Sequence, residues 1–442
     1  MNHTINPFIH SRAVNPKEFL GRELELRRLF SRLSTGQSTA IIGQPHIGKT
    51  SLLNCLLDAE TRKNSFDSRF DRDLFNLLDA HTLHGVNTQA GFWERALSPL
   101  ANCLQTNQPE HLKSLNATYL IAKENSFGTF VLERLFTELN AVGSRLVLML
   151  DEFDDFLSHP VLNSAEFYGG LRSLASRSAG LVLVIAARKD LEQLNQLTQQ
   201  INPHGSPYFN VFTELKLGAL SKKAFAELLD RAGEHFNRRD RKYVTEVSGG
   251  HPYLAQSAAA TLWDAIEEGH KGTARYQIGS REFFRQTKPH FADTWQSWTN
   301  ATKKAITAVS LAQIKNLLTG EKFDASELID DLGDYSPELE TLTANGILAE
   351  DKKNEWVVIQ NAFLWWLTDE LRRNLRDDSD FKTWLQAQEM DNLLTRQQQQ
   401  RMGVTAKKVL NAMGKGAWTL ITAFAQGIAE GVGEGLVAGG KS

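Results

Sequence analysis

Three short stretches of this chain are almost wholly apolar, and each runs directly into a polar or glycine residue. Thr39 to Ile42 leads into Gly43, Leu146 to Leu150 into Asp151, and Leu181 to Ala187 into Arg188. Runs of this kind predict strands buried on both faces, as in a parallel sheet covered by helices on either side. Further on, apolar residues recur with helical period from about Ser221 to Ala232 and from Pro252 to Glu268, with Ser221 as N-cap of the first. A sheet-bearing domain is expected at 1–206 and a helical domain at 207–290.

From about residue 291 the pattern changes. ATKKAITAVSLAQ predicts one helix and ASELIDDL a short second. SPELETLTANGIL predicts a third, from Ser336 to Leu348, with Ser336 as cap, Pro337 in its first turn and Gly346 as its stop. LAEDKKNEWVVIQNAFLWWLTDEL then predicts a polar wing, a strand and a closing helix, so 291–375 is expected to be a winged-helix domain. Residues 376–402 read as a helical connector with Phe381, Trp384, Leu385 and Leu393 on one side. The four glutamines at 397–400 are too short a run to be a low-complexity domain. In the last segment, 403–442, Gly427, Gly431, Gly435 and Gly439 recur every fourth residue, with Glu430 and Glu434 between them.

Charge narrows the partners. A net charge of -3 gives no basic field to attract nucleic acid. Between Glu321 and Glu340 there are eight acidic residues and one lysine, and the third winged-helix helix has no basic residue. Set against phosphates, that surface repels, so nucleic acid is not an expected partner. Two cysteines, Cys55 and Cys103, imply no disulfide framework and suit a reducing compartment. MNHTINPFIH has neither a basic start nor an apolar stretch, so no secretory leader is expected. No segment before residue 415 approaches the roughly 20 apolar residues of a membrane span, and a cytoplasmic body is expected.

The polar residues at the strand ends carry chemistry. Gly43, Gly48, Lys49 and Thr50 fit the P-loop spacing G-x-x-x-x-G-K-[ST], between a strand and a helical pattern. The glycines let backbone N–H groups wrap phosphates, and the helix starting near Lys49 presents its positive end to them. Lys49 would reach the β- and γ-phosphates of ATP, Thr50 would ligate Mg²⁺, and Ser51 follows in the same turn. Asp151 would complete the Mg²⁺ shell, and Glu152 would orient or deprotonate the attacking water. Asp154 and Asp155 read as a solvated face. Arg188 has two readings, a sensor of the γ-phosphate or a surface arginine capping its strand. Arg172 and Arg177 are either trans-acting fingers toward a neighbouring subunit or solvated helix residues.

Taken in order, FLGRELELRRL (Phe19 to Leu29), the P-loop, LDEFD, the strand ending in Arg188 and VSGGHPYLAQ (Val247 to Gln256) resemble a STAND-type signalling ATPase, related to the AAA+ and origin-recognition ATPases. The resemblance covers roughly residues 6 to 370. It implies an α/β P-loop NTPase with an AAA+-like parallel sheet, followed by a helical lid, a winged-helix domain folded back as a regulator, and a C-terminal helical tail. It further implies that Arg22 lies by the adenine and ribose, and that His251 and Pro252 close over the nucleotide. The residues alone allow a plainer account of the last pair, with Gly250 ending one helix and Pro252 starting the next. The strand before Arg188 lacks the Asn or Thr typical of AAA+ motors, which favours a slow, switch-like ATPase.

After such a switch, the tail acquires a meaning. On a helix, glycines four apart form a small-residue strip, with the glutamates beside it and Trp418, Ile421, Phe424, Val432 and Leu436 opposite. Small strips let parallel helices pack closely. Two carboxylates in a bilayer would cost about 5–7 kcal/mol together, against about -0.3 to -0.6 kcal/mol for each large apolar residue. One copy would insert poorly and an oligomer would insert well. The expectation is therefore a homo-oligomer that delivers residues 416–440 to a membrane, in bacterial defence or programmed cell death, triggered by an upstream sensor protein. A disordered end and a purely oligomerising helix are the alternatives, and an adaptor acting on DNA is the alternative for the chain.

Overall fold

The computed structural model describes residues 5–66, 70–106, 109–203, 205–319, 328, 332–351, 355–375, 378–412 and 417–431. The chain divides into two compact units that are each discontinuous in sequence. One comprises Ala13–Gly43 with Gly48–Leu217, and the other Met1–Arg12 with Gln44–Ile47 and Gly218–Ser442.

The first unit is built on a parallel sheet of β1 (Thr39–Ile42), β2 (Leu74–Asp79), β3 (Leu146–Asp151), β4 (Leu181–Ala187) and β5 (Thr213–Lys216), in the order β2-β3-β4-β1-β5. Every residue of β1, β3 and β4 is buried, which is why, apart from Thr39 and Asp151, their sequences are apolar runs. The edge strands differ. All six residues of β2 are half-buried, and β5 buries one of its four. Because β5 pairs with β1, residues 213–216 belong to the sheet rather than to the helical domain expected from 207. One face of the sheet meets an aromatic cluster that includes Phe92, Phe136, Phe153, Phe156, Phe167 and Tyr168, all nearly inaccessible.

The second unit is helical, apart from a hairpin of β6 (Leu348–Glu350) and β7 (Trp356–Val358). Ser221 caps helix Lys222–Asp230 by accepting the Ala224 N–H, as its position predicts. Helix Gly272–Ser297 runs without a break through the boundary expected at 290. In the segment expected to be a winged helix, helices Asn300–Thr319 and Ser336–Ala344 precede the hairpin and helix Asn361–Asn374 follows it. The short helix expected at 325–332 falls largely outside the described residues. Ser336 is the first helical residue, with Tyr335 in the cap position, and the helix ends at Ala344, so Leu348 belongs to β6. The hairpin is fixed by Gln313, whose side chain donates to the Val358 carbonyl at 3.0 Å and accepts the Val358 N–H at 2.7 Å.

Two glycines join the helical segments. Gly249 and Gly346 both have positive φ, and a Cβ on either would stand 2.1–2.3 Å from the other's carbonyl oxygen. The N-terminal segment also belongs to this unit: Phe8 stacks on Phe236 at 5.6 Å, and the Ile9 N–H donates to Gln256.

The tail departs most from expectation. Helix Ala417–Glu430 ends at Gly431, whose φ of 76° and N–H bond to the Gly427 carbonyl make it a helix stop. Gly435, Gly439, Val432, Leu436 and Glu434 lie outside the described residues. Among the described residues of the apolar strip, Trp418 is exposed and the others turn inward. Leu420, Ile421, Ala425 and Ile428 are buried, and Phe424 packs against Tyr243 at 5.9 Å and Trp365 at 5.4 Å. Arg239 donates to the Ala429 carbonyl at 2.7 Å. An apolar face in water gains most from the nearest apolar surface, here that of its own chain. At Gly427 an added Cβ would meet nothing within 4 Å, so the small-residue strip faces open space at that point. The expected connector is likewise part of the core, with Phe381, Trp384 and Leu385 buried and Leu393 exposed. Among the described residues, no helix is long and apolar enough to cross a membrane.

Candidate nucleotide site

The sheet order brings the candidate residues together. β4 lies between β3 and β1, with Leu150 paired to Ile185 and Ile42 to Ala187. Asp151, Arg188 and Gly43 therefore leave three adjacent strands at nearly one level. In parallel sheets this carboxyl edge is where ligands bind.

After β1, the Gly43 N–H bonds to the Ala187 carbonyl at 3.1 Å. Gly48 takes a φ of 103°, a conformation only glycine adopts readily, and starts helix Lys49–Leu57. Lys49 is buried, with Nζ donating to the Gly43 carbonyl at 2.9 Å. The Thr50 hydroxyl donates to Asp151 Oδ2 at 2.7 Å across 101 residues of sequence. Asp151 Oδ1 accepts the Glu152 N–H at 3.0 Å. Glu152 turns out of β3 with φ 49° and ψ 48°, a left-handed conformation that side chains other than glycine seldom adopt. Its carboxylate accepts from Arg188 Nε at 3.2 Å and Nη2 at 3.0 Å.

Burial sets the electrostatics. Removal from water lowers the Lys49 pKa, opposed by Glu152, Asp154 and Asp151. Burial also pushes the Asp151 carboxyl up, against the Thr50 hydroxyl bond and the Lys49 charge. For Arg188 burial works against the charge, but Glu152, Asp154 and Asp155 outweigh it and hold the guanidinium pKa above its ordinary value. The site is thus a compact set of alternating charges.

Other expectations fare differently. Asp154 is not part of a solvated face. It is buried, and its two oxygens accept the Arg188 N–H at 2.6 Å and the Lys189 N–H at 3.1 Å. Asp155 is more open and lies 3.2 Å from His81 Nδ1. Ser51 accepts the Val14 N–H at 3.2 Å, so its hydroxyl is engaged in holding an adjacent chain segment. Arg22 is buried and paired with Glu25 at 3.1 Å. Arg172 reaches the Ser206 carbonyl at 3.4 Å, while Arg177 is exposed.

In the helical unit, Gly249 and Gly250, both at positive φ, end helix Arg238–Ser248, and Pro252 opens helix Pro252–Glu267, as the plainer account of GGHP requires. His251 is wholly buried, with its ring 5.0 Å from His290, so in this conformation it is closed to a ligand. His46, at φ 59°, stacks on Tyr253 at 4.7 Å and lies 5.6 Å from His290. The histidine cluster was not foreseen, because its members lie far apart in sequence.

A parallel sheet with a glycine loop after β1, a carboxylate pair after β3 and a lysine-led helix defines a P-loop NTPase fold. A family profile described as an AAA-like domain matches residues 15–269. The chain belongs to that AAA-like family. No curated protein matches it in sequence. Among solved structures, the Walker-type ATPase of Pyrococcus abyssi is 16% identical with a TM-score of 0.50, over 80% of this chain and 97% of that one. The Aeropyrum pernix ORC1 protein in complex with DNA is 14% identical with a TM-score of 0.37, over 80% and 93%. The Aeropyrum pernix ORC2 protein, in ADPNP–ADP complexes, is 14% identical with a TM-score of 0.39, over 84% and 97%. The likeness to the Pyrococcus protein is one of fold.

Proposed function

We propose that this protein is an ATP-dependent switch with slow hydrolysis. The observation that carries the reading is the Thr50–Asp151 contact at the mouth of the glycine loop, with Lys49 beside it. Gly43, Gly48 and the first turn of the following helix would cradle the phosphates, with Lys49 on the terminal ones. A hydroxyl and a carboxylate oxygen side by side are hard donors that suit Mg²⁺, which takes few protein ligands. Thr50 and Asp151 would hold that ion, and it would neutralise charge on the phosphate oxygens.

Glu152 is the group suited to orient or deprotonate water, and Arg188 the group suited to read the terminal phosphate. Their ion pair favours slow turnover, because Glu152 is withheld from water while Arg188 holds it. Isothermal titration tests the binding: Lys49→Ala should lose ATP, and Glu152→Gln should bind it without turnover. ATP binding unaffected by Lys49→Ala would overturn the reading.

The helical segment from 218 through helix Gly272–Ser297 would act as the lid, with His251 and Pro252 closing over the nucleotide only after rearrangement. Residues 300–375 would form the winged helix. Assembly of several copies, prompted by a sensor protein, would free the tail from its own chain and bring 416–440 to a membrane, in a defence or cell-death response. The amphipathic tail sequence and the resemblance to signalling ATPases support this step. Liposome leakage tests it with full-length protein, a form ending at Met402, and Gly431→Leu and Gly435→Leu variants. If assembled full-length protein leaves liposomes intact, the membrane step is wrong. Salt-sensitive binding to plain duplex DNA would instead favour an adaptor acting on DNA.

A further inference from the structure

The residue after β4 is held in an unusual way. Arg188 and Lys189 both present backbone N–H groups just beyond the last ladder pair, where a strand end would otherwise leave them to water. Both are taken by one side chain: Asp154 Oδ2 accepts from Arg188 at 2.6 Å and Oδ1 from Lys189 at 3.1 Å. The Lys189 ammonium adds a contact to Oδ1 at 3.6 Å. Asp154 itself is fixed, since the 3-10 turn Phe153–Ser158 that carries it is anchored by Phe153 and Phe156 in the aromatic core. A buried carboxylate with both oxygens on consecutive backbone N–H groups holds that backbone in one conformation.

The side chain of Arg188 leaves from this clamped point and reaches Glu152 Oε2 through two nitrogens. Glu152 meets it from a left-handed backbone. A shift of β4's end by even an ångström would separate the two. We infer that Asp154 is a positioning residue, which fixes the start of the Arg188 side chain so that the guanidinium reaches Glu152 here and the terminal phosphate when nucleotide is bound. The second half of this inference rests on the ATP reading above; the first half does not.

Two measurements separate the halves. In the nucleotide-free protein, the Glu152–Arg188 coupling is read from urea midpoints of Glu152→Gln, Arg188→Gln and the double variant. The same cycle is then repeated on an Asp154→Ala background. A clear coupling that disappears with Asp154→Ala is expected, and one that persists unchanged would overturn the inference. With nucleotide, the ratio of affinities for a non-hydrolysable ATP analogue and ADP is compared across variants. Arg188→Ala should reduce the ratio about tenfold, Asp154→Ala should do the same, and the double variant should be no worse than either. Asp154→Asn, which keeps one acceptor oxygen, should restore part of it. A wild-type ratio in Asp154→Ala, or additive losses in the double variant, would refute the positioning role. If wild-type protein binds neither nucleotide, the ATP reading falls, while the urea cycle still decides the role of Asp154.

Discussion

The packed tail helix makes a quantitative prediction. Ile421 and Ile428 are 2% and 3% exposed in helix Ala417–Glu430, which lies against helices Gly272–Ser297, Asn361–Asn374 and Arg238–Ser248. Truncating a buried isoleucine to alanine costs about 2–4 kcal/mol. The two residues are two turns apart, about 10 Å along the axis, so their effects should add to about 4–8 kcal/mol. A detached helix of this length is marginal in water, so loss of docking also means loss of helix. The assay is hydrogen exchange at residues 417–430 in the Ile421→Ala/Ile428→Ala protein. Even the lower figure corresponds to about a thousandfold faster exchange, up to the limit set by the wild-type opening energy. Amides of β1, β3 and β4 should keep their protection. Unchanged exchange in the tail would show that this face contributes little. A parallel loss of protection in the sheet would show that the tail is not a separately releasable element.

Three further outcomes are expected. His290 is buried beside His251 and His46, and burial first, then those two rings, holds its pKa well below the ordinary 6.5. The unfolded chain therefore takes up a proton near that pH and the folded one does not, so stability should fall below pH 6.5 by up to about 1.4 kcal/mol per unit. Urea titrations should show a flatter acid limb for His290→Gln and a pH-independent difference between the proteins above pH 7.5 or so. Asp151 has the opposite sense for a carboxyl, since burial raises its pKa, and under the proposed function it must be ionised to hold Mg²⁺. Mg²⁺-dependent nucleotide affinity should weaken as pH falls into that raised carboxyl range, and Asp151→Asn should abolish the Mg²⁺ dependence, both by titration calorimetry. Gly249→Ala would place a Cβ 2.1 Å from the Gly346 carbonyl at a φ of 58°, and should cost about 2–4 kcal/mol in thermal or urea unfolding.

The sequence made the central strands legible and left the edge strands hidden, for one physical reason. β1, β3 and β4 are enclosed on both faces and so are apolar apart from Thr39 and Asp151, whereas LFNLLD and TELK at the sheet edges are half in solvent and carry mixed residues. Missing β5 placed the helical boundary at 207. The glycine loop from Gly43 to Thr50 and the Asp151–Glu152 pair were legible as a candidate site because their residue types sit at strand ends, and the structure brings Thr50 to Asp151 at 2.7 Å. Asp154 was not, since periodicity cannot distinguish a solvated carboxylate from one that clamps a backbone. The available hint was its place between Phe153 and Phe156, whose burial draws the whole turn inward. Of the tail's expected apolar strip, Ile421 and Phe424 pack inward and Trp418 is exposed, and the covering surface was not legible because an apolar face does not name what will cover it.

The chain passes between its two units at 12/13, 43/44, 47/48 and 217/218. A fragment 13–217 would contain residues 44–47 yet lack Tyr253 and His290, against which His46 lies. A fragment starting at 218 would lack Phe8, and with it the ring stacked on Phe236. No single cut yields either unit whole. For the lineage that carries this gene, recombination at one junction cannot exchange the sheet or the helices as a module.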